Sequence, residues 1–175
     1  MVTQIVVMGV SGCGKSTLAR ALAAALDGRF IEGDDYHAAA SAAKMRSGVA
    51  LNDADREQWL DRLGEALHED EGVAVLSCSA LKLRYRDRMR AATAGLAFVY
   101  LEISLSEAMA RVAQRPAHFF PASLVEDQFA NLEVPLGEAR VLRVPAGNQV
   151  EHSVAVIKHW LASCEQVDLL HRIPD

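Results

Sequence analysis

Short runs of apolar residues alternate along the chain with segments in which apolar side chains recur every three or four positions. An uninterrupted short apolar run predicts a strand that is buried on both faces, and the longer spacing predicts an amphipathic helix. The predicted strands are QIVVMG, FIEGD, VAVLSC, AFVYLEI and ARVLRV. Because helices separate these strands, we expect a five-stranded parallel sheet with helices on both faces.

The predicted helices are marked by apolar faces and by residues that cap the first turn. Asp53 is positioned to cap one helix, and Ser104 with Glu107 forms a capping box at the start of another. The segment HAAASAA predicts a helix of small residues, and LKLRYRDRMRAA predicts a basic helix. The apolar faces are Leu18, Leu22 and Leu26; Leu60, Leu63 and Leu67; Met109 and Val112; Leu124 to Leu132; and Val150, Val154, Ile157 and Leu161.

No linker rich in proline, glycine or serine interrupts the 175 residues, and no internal repeat is visible. We therefore expect a single α/β domain over residues 1–175. In open parallel sheets, ligands bind beyond the carboxyl ends of the strands. Functional residues are expected just after each strand.

The charge and the cysteines narrow the class of protein. A net charge of −5 does not provide the basic surface expected of a nucleic-acid-binding protein. Three cysteines without a Cys-x-x-Cys pair make a disulfide framework or a zinc site unexpected. No apolar run is long enough to span a bilayer, and no basic segment precedes the first run. We expect a cytoplasmic enzyme that does not contact a membrane.

The first strand is followed by GVSGCGKST, which matches the Walker A pattern Gly-x4-Gly-Lys-[Ser/Thr]. Its glycines let successive backbone N–H groups point at phosphate oxygens, and the following helix adds its positive N-terminal end. Lys15 is expected to reach the β- and γ-phosphates of ATP, and the Ser16 hydroxyl to coordinate Mg²⁺. The predicted nucleotide-binding residues of this loop are Gly9, Val10, Ser11, Gly12, Cys13, Gly14, Lys15, Ser16 and Thr17.

A bound nucleoside triphosphate leaves two classes of function open, a small-molecule kinase and a nucleotide-gated regulatory module. No Asn-Lys-x-Asp sequence is present to read guanine, so a GTPase-like switch is not favoured. The third strand ends in Ser77-Cys78-Ser79 rather than in a Walker B aspartate. A carboxylate near the bound nucleotide must therefore come from another strand, and the end of the second strand offers two.

The second strand ends in EGDDYH, which places Asp34 and Asp35 at its carboxyl end, beside the expected phosphate site. We predict that this strand is the neighbour of the first strand. Asp34 is the candidate that accepts the proton of an attacking hydroxyl, or that holds Mg²⁺ through water. A solvated turn is the alternative, because Gly-Asp-Asp is also good turn chemistry.

The chain resembles the gluconokinase family, which consists of small P-loop kinases. The resemblance rests on GVSGCGKST, EGDDYH, KMRSGVALNDADREQWL, SCSALKLRYRDRMR and HFFPASLVEDQFANLEVP, and extends from about Ile5 to about Ala162. It implies a nucleoside-monophosphate-kinase-like fold with a small helical lid, at about residues 111–135. It also implies transfer of the ATP γ-phosphate to the 6-hydroxyl of D-gluconate. The chain departs from the family at Ala38, where proline is usual, at Ser41, and at 115–118 in the lid.

The resemblance and the residue chemistry together give a set of candidates for the substrate site. Arg56 is the first choice for the gluconate carboxylate, because a guanidinium pairs with a carboxylate through two hydrogen bonds. The other predicted substrate residues are Asp34, His37, Lys44, Ser79, Lys82 and Arg86. His37 has an alternative role as a solvated or capping residue, and Arg86 has one as part of a solvated helix face.

Arg111 and Arg115 are four residues apart, so both are expected on one helical face. We predict that Arg111 binds the nucleotide and that Arg115, in the lid, neutralises charge on the transferred phosphoryl group. An arginine pair on a surface helix is the alternative. The loop VPAGNQ after the fifth strand is expected near adenine, and the resemblance also implies a possible homodimer. Another small-molecule kinase, such as a shikimate-type enzyme, and a non-catalytic ATP-binding module remain as alternatives.

Overall fold

A computed structural model describes residues 4–114 and 122–170. Within them the five predicted strands form one parallel sheet, in the order β2-β3-β1-β4-β5. The strands are β1 (Gln4–Met8), β2 (Arg29–Glu32), β3 (Ala74–Ser77), β4 (Ala97–Glu102) and β5 (Val141–Pro145). The prediction that the second strand neighbours the first is wrong, because β3 pairs with both and lies between them.

Seven helices are described in these residues, and they cover both faces of the sheet. They are α1 (Lys15–Ala25), α2 (Ala39–Arg46), α3 (Asp53–Leu67), α4 (Leu83–Ala92), α5 (Leu105–Ala113), α6 (Ala122–Asn131) and α7 (Val150–Leu170). A single 3-10 turn, Gly33–Tyr36, follows β2 directly. In the described part of the chain, no helix is both long and apolar enough to cross a membrane.

Alternate residues of the strands point to two separate apolar cores. Ile5 and Val7 of β1 pack with α1 and α7 on one face of the sheet. Val6 and Met8 pack with α3 and α4 on the other face. All four side chains are fully buried, which is the burial on both faces that a continuous apolar run predicts.

The helix starts follow from capping chemistry. The predicted capping box of Ser104 and Glu107 is confirmed at α5. At α3 the cap is Asn52 rather than Asp53: the Asn52 side chain accepts a hydrogen bond from the Asp55 N–H, and the Asp55 carboxylate accepts one from the Asn52 N–H. Asp53 is the first helical residue, so its carboxylate is left for partners in α4.

Candidate active site

The loop between β1 and α1 curls because two of its glycines adopt a backbone that other residues rarely adopt. The φ angle is 85° at Gly12 and 98° at Gly14. A Cβ at Gly12 would also lie 2.8 Å from the carbonyl oxygen of Ala108. Gly14 is the N-cap of α1 and brings no side-chain acceptor. The N–H groups at the start of α1 therefore remain for an anion, which also meets the positive end of the helix.

Two side chains of this loop add polar groups to the cradle. The Lys15 Nζ donates a hydrogen bond to the carbonyl oxygen of Val10, at 3.1 Å, so the ammonium group lies over the loop. The Ser16 hydroxyl lies 3.3 Å from the hydroxyl of Ser77 at the end of β3. The space in front of the loop is here called the phosphate cavity. It is lined by Ser11, Gly12, Gly14, Lys15, Ser16, Thr17, Glu32, Asp34, Asp35, Ser77 and Val112.

A second cavity adjoins the phosphate cavity. Ser11, Lys15 and Asp34 line both cavities. The remaining lining comes from the segments after β2 and β3, from the connection into α3 and from α6; it consists of His37, Met45, Val49, Ala50, Leu51, Arg56, Trp59, Ser79, Leu81, Leu124, Asp127 and Gln128. Its lining combines apolar side chains with a few charged and polar groups, which is the composition expected of a small-molecule site.

His37 and Trp59 form a stacked pair in the wall of the second cavity. Their ring centroids are 4.3 Å apart, and the Trp59 Nε1 donates a hydrogen bond to the carbonyl oxygen of Gly33 at 2.7 Å. The His37 side chain is 4% exposed, and its Nδ1 is buried without a hydrogen-bond partner in the described residues. Burial lowers the pKa of His37, Arg56 lowers it further, and the Asp34 carboxylate opposes them. The ring is therefore neutral near pH 7, with a nitrogen that lacks a partner.

Arg56 lines the second cavity from the first turn of α3, which is anchored to α4. The Tyr85 hydroxyl donates a hydrogen bond to the Asp53 carboxylate at 2.5 Å, and Arg84 forms an ion pair with the same carboxylate. These two hydrogen bonds lower the pKa of Asp53 to about 2. The Arg56 guanidinium carbon lies 5.7 Å from the centre of the Tyr85 ring. The start of α3 is thus held in place while Arg56 stays accessible from the cavity.

Three of the predicted substrate residues do not line the second cavity. The prediction for Arg86 is wrong, because its side chain is completely buried and its nitrogens donate to the carbonyl oxygens of Ala80, Leu81 and Glu133. Its guanidinium also pairs with Glu138, at 2.5 Å. The other two are on the protein surface nearby: Lys44 pairs with Asp55 at 2.8 Å, and Lys82 lies 3.7 Å from Asp53.

A third cavity lies on the other side of the loop, beside the end of β5. Arg111 lines it and donates to the carbonyl oxygens of Ala146 and Cys13, at 3.2 and 3.5 Å. Pro145, Ala146 and Asn148 of the VPAGNQ loop are also in its lining. The predicted adenine loop and Arg111 are thus brought together next to Gly12 and Gly14. Arg115 lies outside the described residues.

Three polar residues of the second cavity were not predicted from the sequence. Trp59 falls on the apolar face of α3, so its spacing indicates packing and not a place in a cavity wall. Asp127 and Gln128 of α6 carry no such signal, because nothing in a helical spacing tells which face will meet the loop after β1. Gln128 makes a direct contact there: its Oε1 accepts a hydrogen bond from the Ser11 N–H at 2.6 Å. The one available signal was the motif that contains it, DQFANLE.

Comparisons with known proteins agree with this geometry. The family model described as an AAA domain matches residues 5–135. The gluconokinase of Gluconobacter oxydans is 46% identical over 144 residues, which are 80% of this chain and 80% of that protein. The crystal structure of a gluconokinase from Sinorhizobium meliloti has a TM-score of 0.89 and 40% identity, and covers 98% of both chains.

A more distant structure separates fold from function. The Mycobacterium tuberculosis APS kinase has a TM-score of 0.69 and 19% identity over 91% of this chain and 98% of that one, and this likeness shows the common P-loop kinase fold alone. The identities of 40% and 46% to gluconokinases, over most of both chains, go beyond the fold. They confirm the resemblance carried by the EGDDYH and KMRSGVALNDADREQWL motifs: the chain belongs to the gluconokinase family.

Proposed function

We propose that this protein transfers the γ-phosphate of ATP to the 6-hydroxyl of D-gluconate, giving 6-phospho-D-gluconate and ADP. One observation carries the proposal: Ser11, Lys15 and Asp34 line both the phosphate cavity and the second cavity. A phosphoryl group that leaves a nucleotide on the loop therefore meets an acceptor in the second cavity at these residues. The membership in the gluconokinase family supports the identity of the acceptor.

The phosphate cavity has the donors that a nucleotide and its metal need. The N–H groups of the loop and the Lys15 ammonium group bind the phosphates of ATP. Ser16 and Ser77 offer hydroxyl oxygens 3.3 Å apart, and Glu32, Asp34 and Asp35 offer carboxylates in the same cavity. Such oxygen donors fit Mg²⁺, with Ser16 as direct ligand and Asp34 acting through water. Mg²⁺, when bound, neutralises negative charge on the phosphates.

Asp34 orients the acceptor and takes its proton. Its side chain is 81% exposed, so the carboxylate is available at the junction of the two cavities. The gluconate hydroxyl oxygen forms a bond to the γ-phosphorus, the bond from that phosphorus to the bridging oxygen of ADP breaks, and the hydroxyl proton passes to Asp34. The Lys15 ammonium stabilises the charge that develops on the phosphoryl oxygens and on ADP.

The second cavity suits a linear polyhydroxy acid. Arg56 binds the gluconate carboxylate, because its planar guanidinium can donate two parallel hydrogen bonds. His37 is neutral and lines the same cavity, so its ring can form a hydrogen bond with a substrate hydroxyl. Ser79 lines the same cavity and offers a further hydroxyl.

The remaining elements complete the proposal around these two cavities. Arg111 and the VPAGNQ loop hold the adenine side of ATP in the third cavity. We keep as predictions the closing lid at about 111–135, the charge-neutralising role of Arg115 and the homodimer. We also propose a cytoplasmic location, where ATP is available and where the buried thiols of Cys13 and Cys78 stay reduced.

The test is ADP release from MgATP with a panel of acceptors: gluconate, shikimate, adenylylsulfate, nucleoside monophosphates, glycerate and buffer alone. Turnover with gluconate alone is the expected result. Turnover with a different acceptor would support the assignment as a kinase and would contradict gluconate as the substrate. Binding of ATP without turnover on any acceptor would favour a regulatory module instead.

A further inference from the structure

Gln128 connects α6 to the phosphate-binding loop. Its Oε1 accepts a hydrogen bond from the Ser11 N–H at 2.6 Å, across 117 positions of the chain. A backbone N–H can only donate, so the side-chain amide must present its oxygen to Ser11. The NH₂ group of the same amide is then the part that remains to face the second cavity, which Gln128 lines.

The Gln128 amide lies where the phosphate cavity and the second cavity meet. Ser11 and Lys15 line both cavities, and Gln128 is bonded to the first of them. Asp127 and Gln128 come three and four positions after Leu124 on α6, so one face of this helix forms a wall of the second cavity. A donor held at this junction lies beside the path of the phosphoryl group in the proposed reaction.

The choice of an amide over a carboxylate has an electrostatic reason. A glutamate at position 128 would accept the same hydrogen bond from Ser11. It would, however, place a negative charge beside the terminal phosphoryl group of ATP, which is itself negatively charged. Glutamine accepts from the loop with one end and donates with the other. It neither gains nor loses a proton in the transfer.

The geometry points to Gln128 as a catalytic residue of the phosphoryl transfer. Its Oε1 accepts from the Ser11 amide and so holds α6 against the loop. Its Nε2 donates a hydrogen bond to an oxygen of the terminal phosphoryl group of ATP. This inference rests on the proposed function for the direction of transfer. It assigns a specific role to α6, which otherwise packs Val125 and Phe129 on the core and lines the second cavity with Leu124 and Asp127.

The test compares Gln128→Glu with wild type in steady-state kinetics on MgATP and gluconate, and in equilibrium titrations with MgADP and a non-hydrolysable MgATP analogue. Gln128→Glu keeps the acceptor for Ser11 and loses the donor. We expect kcat to fall at least about 10-fold and the affinity for the ATP analogue to fall by a similar factor. The affinity for MgADP, which lacks the terminal phosphoryl group, and the thermal midpoint are expected to stay close to wild type. Glu126→Gln, on the exposed side of the same helix, is the matched control and is expected to change neither.

Two results would overturn the inference. One is a Gln128→Glu variant whose kcat and analogue affinity both stay within about twofold of wild type. The other is a parallel loss of MgADP affinity, thermal midpoint and kcat in Gln128→Glu and Gln128→Met, which would reduce Gln128 to a structural tether. The nucleotide titrations need no acceptor. They therefore test Gln128 even if wild type does not phosphorylate gluconate, which would be a failure of the proposed function alone.

Discussion

The phosphate cavity and the second cavity are built in opposite ways. The phosphate cavity is mostly one stretch, from Ser11 to Thr17, with a few residues added after β2, from the end of β3 and from α5. The second cavity takes its lining from five separate regions of the chain, between Ser11 and Gln128. Binding a phosphate needs backbone N–H groups in one curled loop, whereas recognising a particular acceptor needs side chains at several points around it. Substitutions that affect acceptor recognition without affecting phosphate binding, or the reverse, test this comparison.

Asp34 lies on the boundary between the cavities, and its removal is expected to have the largest effect. In Asp34→Asn the proton acceptor is lost, and kcat should fall by about 10²- to 10⁴-fold. The affinity for ADP without Mg²⁺ should change little, because the loop itself is intact. Steady-state kinetics with a parallel Mg²⁺-free ADP titration measures both. Activity close to wild type would show that Asp34 is not the base.

Arg86 is expected to act on stability alone. Although burial opposes ionisation, hydrogen bonds from Arg86 and Arg90 lower the pKa of Glu138. Arg86→Met removes one of these partners, and it also removes a donor from the carbonyl groups of Ala80, Leu81 and Glu133. We expect the free energy of unfolding in urea to fall by about 3 kcal/mol. At a temperature where the variant is folded, its KM for gluconate should match wild type, and a selective rise in that KM would restore Arg86 to the substrate site.

Arg56, in contrast to Arg86, is expected to affect gluconate binding and not stability. Arg56→Met removes the proposed partner of the gluconate carboxylate, and the KM for gluconate should rise about 10- to 100-fold. The KM for ATP and the free energy of unfolding should stay near wild type, since Arg56 has no buried carboxylate as its partner among the described contacts. Equal losses for gluconate and ATP would contradict the assignment.

His37 predicts a pH dependence that is confined to the second cavity. Its pKa lies below the ordinary value of 6.5, mainly because of burial, so the ring gains a proton only on acidification. The kcat/KM for gluconate should be flat around neutral pH and fall on acidification below the ordinary histidine pKa of 6.5. His37→Gln should be less active and lose this acidic limb. An unchanged limb in the variant would assign the titration to another group, such as Asp34.

The smallest expected effect concerns Ala38 at the entry to α2, where the resemblance leads us to expect proline. Ala38 has φ −60° and ψ 148°, and His37 before it is extended, with φ −66° and ψ 140°. Both conformations are compatible with proline at position 38. Ala38→Pro should therefore raise the free energy of unfolding by about 0.4–1 kcal/mol, because it restricts the unfolded chain. A lower thermal midpoint would show that the amide of residue 38 is needed.

Local patterns of the sequence determined the strands, most of the helices and the phosphate-binding loop. Continuous apolar runs such as Ile5 to Met8, the glycines around Lys15 and the capping box at Ser104 depend on neighbours within a few positions. The motifs from Asp34 to Trp59 were also sufficient to indicate the family. Each of these features depends on residues close together in the chain, so the sequence alone is enough to predict it.

Only the tertiary structure decided the strand order and the roles of the cations. The insertion of β3 between β1 and β2 depends on long-range pairing, which no local pattern specifies. Arg56 and Arg86 are both arginines in the first turn of a helix, and their difference arises because Glu138 and three carbonyl groups surround Arg86. Gln128 likewise acquires its contact with Ser11 only when α6 packs against the loop. A side chain's role here depends on which distant groups satisfy its charge and hydrogen bonds, and folding brings those groups together.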